Sequence, residues 1–373
     1  MMLPSFRIQG FRAFKHLEIP SLGQINLIVG KNNTGKTMLL EALRLYRAQG
    51  NANVIRDLLM SRDEFGRSTL STRQLQRLVR LESLFFGRQP KPGSTIQLGP
   101  LHEGKPKLEL TAVKLRRPHS DEGSQSRDWE EVPLELLESD LNGSEHETGI
   151  RASFGHNPPR ILGPEPLSSF PFGPGFFLNY PNELPRDHAA FVSAVGLSPA
   201  IAATWWDTVS LTDAEERITE CLGLLAPIQR ITFVETPVAE GRVAMIRLKG
   251  QPEPVPLRSL GDGMRKMFHF ALALEAARQH ALLLIDELEN GIHYEVHPQL
   301  WEFLLKSAQV SGVQIFATTH SWDCIAGLQQ ALQAHPLVDV RLLKLYRQQD
   351  QLKVSVLDRE DLTVLTRDRI EVR

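Results

Sequence analysis

Apolar and polar residues alternate at the start of the chain, where Phe6 and Ile8 are flanked by polar neighbours. A short apolar run over Ile25, Leu27, Ile28 and Val29 then ends at Gly30. Period-two alternation and a short apolar run both predict strands, joined here by a turn, and the second reads as buried. After Gly30 the period changes. Leu39, Leu40, Leu43 and Tyr46 share one face of a helix predicted over Thr37–Gln49, with Gly50 as its stop. Leu75, Leu78, Val79, Leu81 and Leu84 predict a second helix over Arg73–Phe86. The alternation in Lys107-Leu108-Glu109-Leu110 predicts antiparallel strands within residues 94–116.

The second half repeats this change of period. Residues 187–225 read as helical, and Ile231–Val234 with Arg242–Leu248 read as a strand pair. From residue 257 a loop leads into a helix over Gly263–His280, a buried strand over Ala281–Ile285, a helix over Glu295–Gln309 and a strand over Val313–Thr318. Alternation of this kind predicts an α/β fold. Between the halves, Asp121–Glu131 is polar and charged. Residues 157–185 carry Pro158, Pro159, Pro164, Pro166, Pro171, Pro174, Pro181 and Pro185, which forbid a regular helix. Residues 117–185 are therefore expected to form a Pro-rich surface insertion with extended segments.

Composition narrows the class of protein. The 373 residues hold 42 Lys and Arg against 44 Asp and Glu, a formal charge of −2, with 42% hydrophobic residues. That balance excludes a generally basic nucleic-acid coat and an acidic disordered chain, and leaves room for a local basic patch. Cys221 and Cys324 make neither a disulfide framework nor a metal-ligand spacing. The opening MMLPSFRIQGFRAF lacks the continuous apolar stretch of a signal peptide. Apolar runs such as Ala281–Ile285 fall far short of the ~20 residues that cross a bilayer. A cytoplasmic protein with no membrane partner is the expectation.

Four segments carry chemistry. Gly30-Lys31-Asn32-Asn33-Thr34-Gly35-Lys36-Thr37 matches the phosphate-binding loop GxxxxGK[ST], set between an apolar strand and an amphipathic helix as that loop requires. Its glycines let backbone N–H groups curl around a phosphate at the positive end of the helix. Lys36 would reach the β- and γ-phosphates, and Thr37 would ligate Mg²⁺ through its hydroxyl. Leu282–Ile285 ends in Asp286 and Glu287, where the first acid can hold Mg²⁺ and the second can act as general base toward water. The strand Ile315–Thr318 is followed by Thr319, His320 and Ser321, and His320 is a candidate to hydrogen-bond the γ-phosphate. Leu257–Lys266 places Ser259, Gly261 and Gly263 before a long helix, which makes a second anion-binding end or a plain N-cap loop. His293 and His297 lie four residues apart in a stretch read as helical, but Tyr294 stands where the zinc-protease pattern needs Glu, so a surface or dimer-contact role is preferred to metal binding. An Asn-Lys-x-Asp guanine-reading motif is absent from the sequence.

Taken in order, GKNNTGKT, SLGDG, LLLIDELENGIH and ATTHS resemble the ABC-type ATPase heads of the RecF/SMC/OLD group, and most closely the stand-alone OLD-like AAA ATPases. Phe11-Arg12-Ala13-Phe14 at the start also fits. The resemblance covers residues 5–50 and 225–373 and only the general layout between them. It implies a P-loop NTPase of ABC-ATPase type, with a mixed central sheet flanked by helices, an antiparallel β subdomain and a helical lobe. The whole of 1–373 would be one composite head: 1–116 with the P-loop and β subdomain, the 117–185 insertion, 186–225 as helical lobe, and 226–373 with the signature, the acids and the switch histidine.

Residue by residue, the resemblance implies that Gly30–Thr37 bind ATP and that Thr37 and Asp286 hold Mg²⁺. Glu287, Lys36 and His320 would be catalytic, and Arg12 would contact nucleotide. Ser259, Gly261 and Gly263 would form a signature acting on the other copy's ATP, with Glu289–His293 crossing a head-to-tail homodimer interface. Two features depart from the pattern. The signature reads SLGDG rather than LSGGQ, and no Gln stands where one links Mg²⁺ to the helical lobe, only Asn179 and Asn182. The resemblance further implies DNA, or a separate nuclease or effector protein, as partner in antiphage defence or DNA repair. The residues after His320 are fewer than the roughly 100 of an added domain, so no nuclease domain is expected. The alternatives are a nucleotide-gated regulatory module with little turnover and the ATPase subunit of an ABC transporter.

Overall fold

The computed structural model describes residues 2–67, 77–102, 104–116, 129–133, 146–164, 189–235, 242–278 and 281–370. Strands β1 (Phe6–Phe11), β2 (Phe14–Ile19) and β3 (Ile25–Val29) precede helices α1 (Lys36–Arg47) and α2 (Ala52–Met60). Strands β4 (Phe65–Arg67), β5 (Arg77–Val79), β6 (Thr95–Gly99), β7 (Leu108–Arg116), β8 (Glu130–Glu131), β9 (Glu147–Phe154), β10 (Arg160–Leu162) and β11 (Ala190–Val192) follow. Next come α3 (Pro199–Val209), α4 (Asp213–Leu222), β12 (Ile228–Glu235), β13 (Arg242–Leu248), β14 (Val255–Pro256) and α5 (Asp262–Ala277). The chain continues through β15 (Leu282–Ile285), α6 (His297–Ser311), β16 (Gln314–Thr318), α7 (Trp322–Leu332), β17 (Val340–Gln348), β18 (Gln351–Leu357) and α8 (Arg359–Arg367).

These elements form two compact units. One holds Met1–Pro4, Ile19–Leu40 and Leu178–Arg373, and the other holds Ser5–Glu18 and Glu41–Phe177. The first is built on a six-stranded sheet in the order β11-β15-β16-β3-β17-β18. All its pairs are parallel except β17 with β18, so the sheet is mixed as expected. Every residue of β3, β15 and β16 is buried, as befits strands covered on both faces by helices. Met267, Phe268, Phe270 and Leu274 of α5 and Leu300, Trp301 and Leu304 of α6 belong to the same apolar core. The register sets Leu284 against Phe316 and Phe316 against Asn26, so β15, β16 and β3 run side by side and end together.

The second unit carries an antiparallel sheet in the order β10-β9-β7-β6-β1-β2, with β8 beside β7. Strands β8, β9 and β10 come from the span read as a surface insertion, yet Ile150 and Ala152 of β9 are buried and pair along β7. Asn179 and Asn182 lie outside the described residues. The aromatic rings of Phe6, Tyr46 and Phe154 pack together, with centroids 5.6 and 5.7 Å apart.

Three sequence expectations are corrected. The described part of Arg73–Phe86 is not a helix: Val79 pairs with Phe65 in the β4–β5 hairpin, and Leu81–Leu84 forms a 3-10 turn that buries Leu81 and Leu84. Ala190–Val192, read as helical, is an edge strand of the first unit's sheet, parallel to β15. Pro298 starts α6 late, so Glu295 sits in a 3-10 turn, and His297 is buried whereas His293 is exposed. His293 and His297 therefore do not share a helical face, which removes the geometry on which a two-histidine metal site would depend.

Arg12 shows where the second unit is held. Its guanidinium contacts Glu41 at 2.6 Å and Glu64 at 2.9 Å, all three side chains being buried, and Nη2 donates to the Leu58 carbonyl. Burial pushes the Glu41 carboxyl above its ordinary range, against the opposing pull of Arg12 and Arg62. Removing one partner of such a cluster leaves buried charge uncompensated. Arg12→Ala is expected to cost about 3 kcal/mol in chemical denaturation. A loss within about 0.5 kcal/mol, typical of an exposed ion pair, would contradict this reading.

His269 makes the first unit sensitive to acid. Its Nδ1 accepts from the Leu197 N–H at 3.1 Å, and burial holds its pKa at about 3, helped by the nearby cations Arg265, Lys266 and Arg258. An unfolded histidine titrates near 6.5, so between these values the unfolded chain binds a proton that the folded chain refuses. Stability should therefore fall as pH drops below 6.5, by about 2 kcal/mol at pH 5 from this residue. In urea melts at pH 7.5 and 5, His269→Gln, which still offers an acceptor, should lose that part of the slope. An unchanged slope would refute the assignment.

Candidate functional site

The loop after β3 takes the conformation its glycines allow. Gly30 has φ 147°, and a Cβ there would lie 2.3 Å from the Leu345 carbonyl oxygen. Asn33 and Gly35 follow with φ 62° and 86°, and the Thr34 hydroxyl donates to the Lys31 carbonyl at 2.8 Å to close the turn. Lys31, Asn32 and Asn33 are exposed at its tip. The buried Lys36 ammonium spans the loop, donating to the carbonyls of Gly30 at 2.8 Å and Lys31 at 2.9 Å. Burial lowers its pKa, while Asp286, Glu289 and Glu287 act in the opposite sense and favour the charge. A cation facing three acids across an N-terminal helix end suits a phosphorylated ligand with a bound cation.

The acids stand where the strands end. Asp286 is buried, and its carboxylate accepts from the Thr37 hydroxyl at 3.0 and 3.2 Å and from the Thr318 hydroxyl at 2.6 Å. Residues at the ends of β15, β16 and the first turn of α1 thus meet at one carboxylate. Thr318 also receives the Glu287 N–H at 2.8 Å, and its carbonyl receives the Leu288 N–H at 3.0 Å. Glu287 itself adopts φ 51°, a conformation that a non-glycine residue pays for and that clusters at functional sites. The backbone N–H of His320 donates to Glu289 Oε1 at 2.6 Å, which ties the loop after β16 to the loop after β15. The hydroxyl of Thr37 and the carboxylate of Asp286 are hard oxygen donors side by side, the set that fits Mg²⁺ completed by water and phosphate oxygens. Among the described residues no group of three or more His, Cys, Asp or Glu side chains could hold a metal by itself.

The sequence motifs are not all gathered at this point. Ser259 and Gly261 are exposed on the 3-10 turn Leu257–Leu260 and at the N-cap of α5, where Gly261 has φ 89°. Gly263 lies against the Gly291 carbonyl, 3.1 Å from where a Cβ would sit, so the start of α5 rests on the turn after the acids. Arg12 belongs to the second unit and is engaged by Glu41 and Glu64.

Sequence reasoning gave no role to Thr318, Lys266 or Ser193. Lys266 of α5 is buried and donates to the Ala194 carbonyl and to Ser193 O at 3.4 Å, and Asn290 Nδ2 joins it on Ala194 O at 3.2 Å. Asp286 N–H donates to the Val192 carbonyl at 2.9 Å. The segment after the edge strand β11 thus links α5 to the acid-bearing loop.

Comparison with known proteins adds the following. The family described as "AAA ATPase domain" matches residues 1–138, and "AAA domain, putative AbiEii toxin, Type IV TA system" matches residues 216–323. An "ATP/GTP phosphatase" of Helicobacter pylori is 24% identical over 366 residues, covering 94% of each chain. Among solved structures, an SMC head bound to the C-terminal winged-helix domain of ScpA overlaps 96% of this chain and 99% of its own, at 13% identity and a TM-score of 0.49. An SMC head with extended coiled coil from Pyrococcus furiosus overlaps 99% of each chain at 10% identity and a TM-score of 0.48. The chain carries AAA-family ATPase domains, with Gly30–Thr37 inside one matched stretch and Asp286, Glu287 and His320 inside the other.

Proposed function

We propose that this ATPase is Mg²⁺-dependent and hydrolyses ATP where β3, β15 and β16 end. The observation that carries the reading is the single carboxylate of Asp286 receiving hydroxyls from both Thr37 and Thr318. In this proposal the N–H groups of Gly30–Thr37 and the Lys36 ammonium hold the β- and γ-phosphates. Bound Mg²⁺, held by Thr37 and Asp286, would neutralise charge building on those oxygens. Glu287, fixed through its backbone to Thr318, takes a proton from the attacking water as the water oxygen bonds to the γ-phosphorus. The bond from that phosphorus to the bridging oxygen breaks, and ADP leaves with phosphate. His320 reports the γ-phosphate from the loop after β16. Arg12 serves the second unit through Glu41 and Glu64 rather than the nucleotide.

The exposed Ser259 and Gly261, with the half-buried Gly263, are proposed to meet the phosphates held by a second copy, so that ATP joins two chains head to tail and hydrolysis releases them. Glu289–His293 would line the same interface. Exposure of Ser259 and Gly261 at this helix start supports the reading, because a helix N-terminus open to solvent can receive an anion from another chain. Such pairing would gate action on DNA, or on a separate nuclease or effector, in antiphage defence or DNA repair, as the resemblance to OLD-like ATPases suggests. The name of the Helicobacter pylori relative extends the nucleotides worth assaying to GTP.

Glu287→Gln separates binding from turnover. A lost general base should lower kcat by about 10²- to 10⁴-fold while ATP affinity stays within a few fold. The variant should also accumulate as a dimer with ATP and Mg²⁺ in light scattering. Turnover at the wild-type rate would remove Glu287 as the base. A variant that binds ATP and remains monomeric would remove the head-to-tail site.

A further inference from the structure

A cavity of about 110 Å³ opens beside α5, away from the phosphate loop in sequence, and the proposed chemistry does not use it. Its floor is apolar: Leu197, Ala202, Phe233 and Phe268 line it, with the Trp206 ring packed at a tilt, its centroid 6.0 Å from Phe233 and 5.9 Å from Phe268. Its other side is cationic, with Arg258, Arg265 and Arg242 among the lining side chains. Arg265 is paired with Asp262 at 2.8 Å and Arg242 with Asp207 at 2.6 Å, both acids being exposed. Arg258 makes no ion pair among the described residues, so the cavity carries one uncompensated positive charge.

His269 supplies a donor. It is buried and lines the cavity, and its Nδ1 accepts from the Leu197 N–H. A nitrogen that accepts carries no hydrogen, so the ring proton resides on Nε2. Gly196 packs closely on the ring; a Cβ there would lie 2.4 Å from Nδ1. Nε2–H has no hydrogen-bond partner among the described residues.

Size and chemistry define the ligand. An apolar cavity of roughly 150 Å³ accepts benzene, so this one accepts a body of about four to six non-hydrogen atoms. That excludes a nucleoside and suits one ring or a short branched chain. The free guanidinium and the neutral imidazole N–H together suit a carboxylate at the mouth. We infer that this cavity binds a small organic monoanion, its apolar body against Phe233 and Phe268 and its carboxylate on Arg258 and His269, and that occupancy positions the turn bearing Ser259 and Gly261. The second half follows from connectivity, since Leu257 and Arg258 both line the cavity and begin the 3-10 turn that leads to Gly261. It rests on the signature role proposed above, whereas the binding half does not.

Titration calorimetry of the full chain with benzoate and isovalerate tests binding without reference to turnover. A 1:1 site with a dissociation constant of about 1 mM or tighter is expected. Acetate, which lacks the body, and benzyl alcohol, which lacks the charge, should each bind at least tenfold more weakly. Arg258→Gln, at an exposed position, should weaken benzoate at least tenfold with an unchanged melting temperature. Ala202→Leu, which fills the floor, should abolish binding. No binding, equal binding of acetate, or full affinity in both variants would overturn the site. Saturating benzoate should then change the ATPase kcat at least twofold in the wild type and not in Arg258→Gln. Binding without any change in kcat would overturn the coupling while leaving the ATPase reading to be judged by Glu287→Gln.

Discussion

The arrangement depends on how a buried carboxylate is satisfied. Asp286 leaves β15 at the end of four buried apolar residues, where an unpartnered charge would be expensive. Two hydroxyls meet it, one from the start of α1 and one from the end of β16. Those hydroxyls are present only because β15, β16 and β3 are parallel neighbours in register, so that Thr318 and the loop after Val29 emerge beside Asp286. The order of strands is thus the condition for the chemistry. A shift of one residue in β16 would turn Thr318 to the opposite face and leave the carboxylate without its second donor.

Much of this was legible from the residues. GKNNTGKT, LLLIDE and ATTHS each place polar residues directly after a short apolar run, and a run buried on both faces ends at the carboxyl edge of a parallel sheet. Strand and motif are therefore read together. Ala190–Val192 failed that test because three residues show no periodicity, and its neighbours Ser198 and Pro199 announce a helix instead. Arg73–Phe86 failed for the opposite reason: in its described part Leu78 and Val79 pair in a hairpin, and Leu81 and Leu84 fall in a 3-10 turn. Lys266, bridging to Ala194, depends on contacts across 72 residues of sequence, which no local pattern encodes.

Arg12 illustrates a different limit. Its place before the phosphate loop invites a nucleotide role by resemblance, but a guanidinium beside two buried glutamates already has an electrostatic task. Sequence order shows that the residue is near a motif and not which charge it answers. The same holds for Ser259 and Gly261, where composition marks a helix start and the structure leaves both residues exposed. Burial decides between such readings, because a cation or a donor hidden from water must find its partner within the same unit.

The central claim is that Asp286 organises an ATP-hydrolysing site with Thr37 and Thr318. Its most direct test is phosphate release from saturating ATP and Mg²⁺ by Asp286→Asn, alongside nucleotide binding with and without Mg²⁺. The amide keeps the shape and removes the charge, so hydrolysis should fall by about 10²-fold or more and Mg²⁺ should no longer strengthen ATP binding. Hydrolysis at the wild-type rate, with the Mg²⁺ effect intact, would contradict the account.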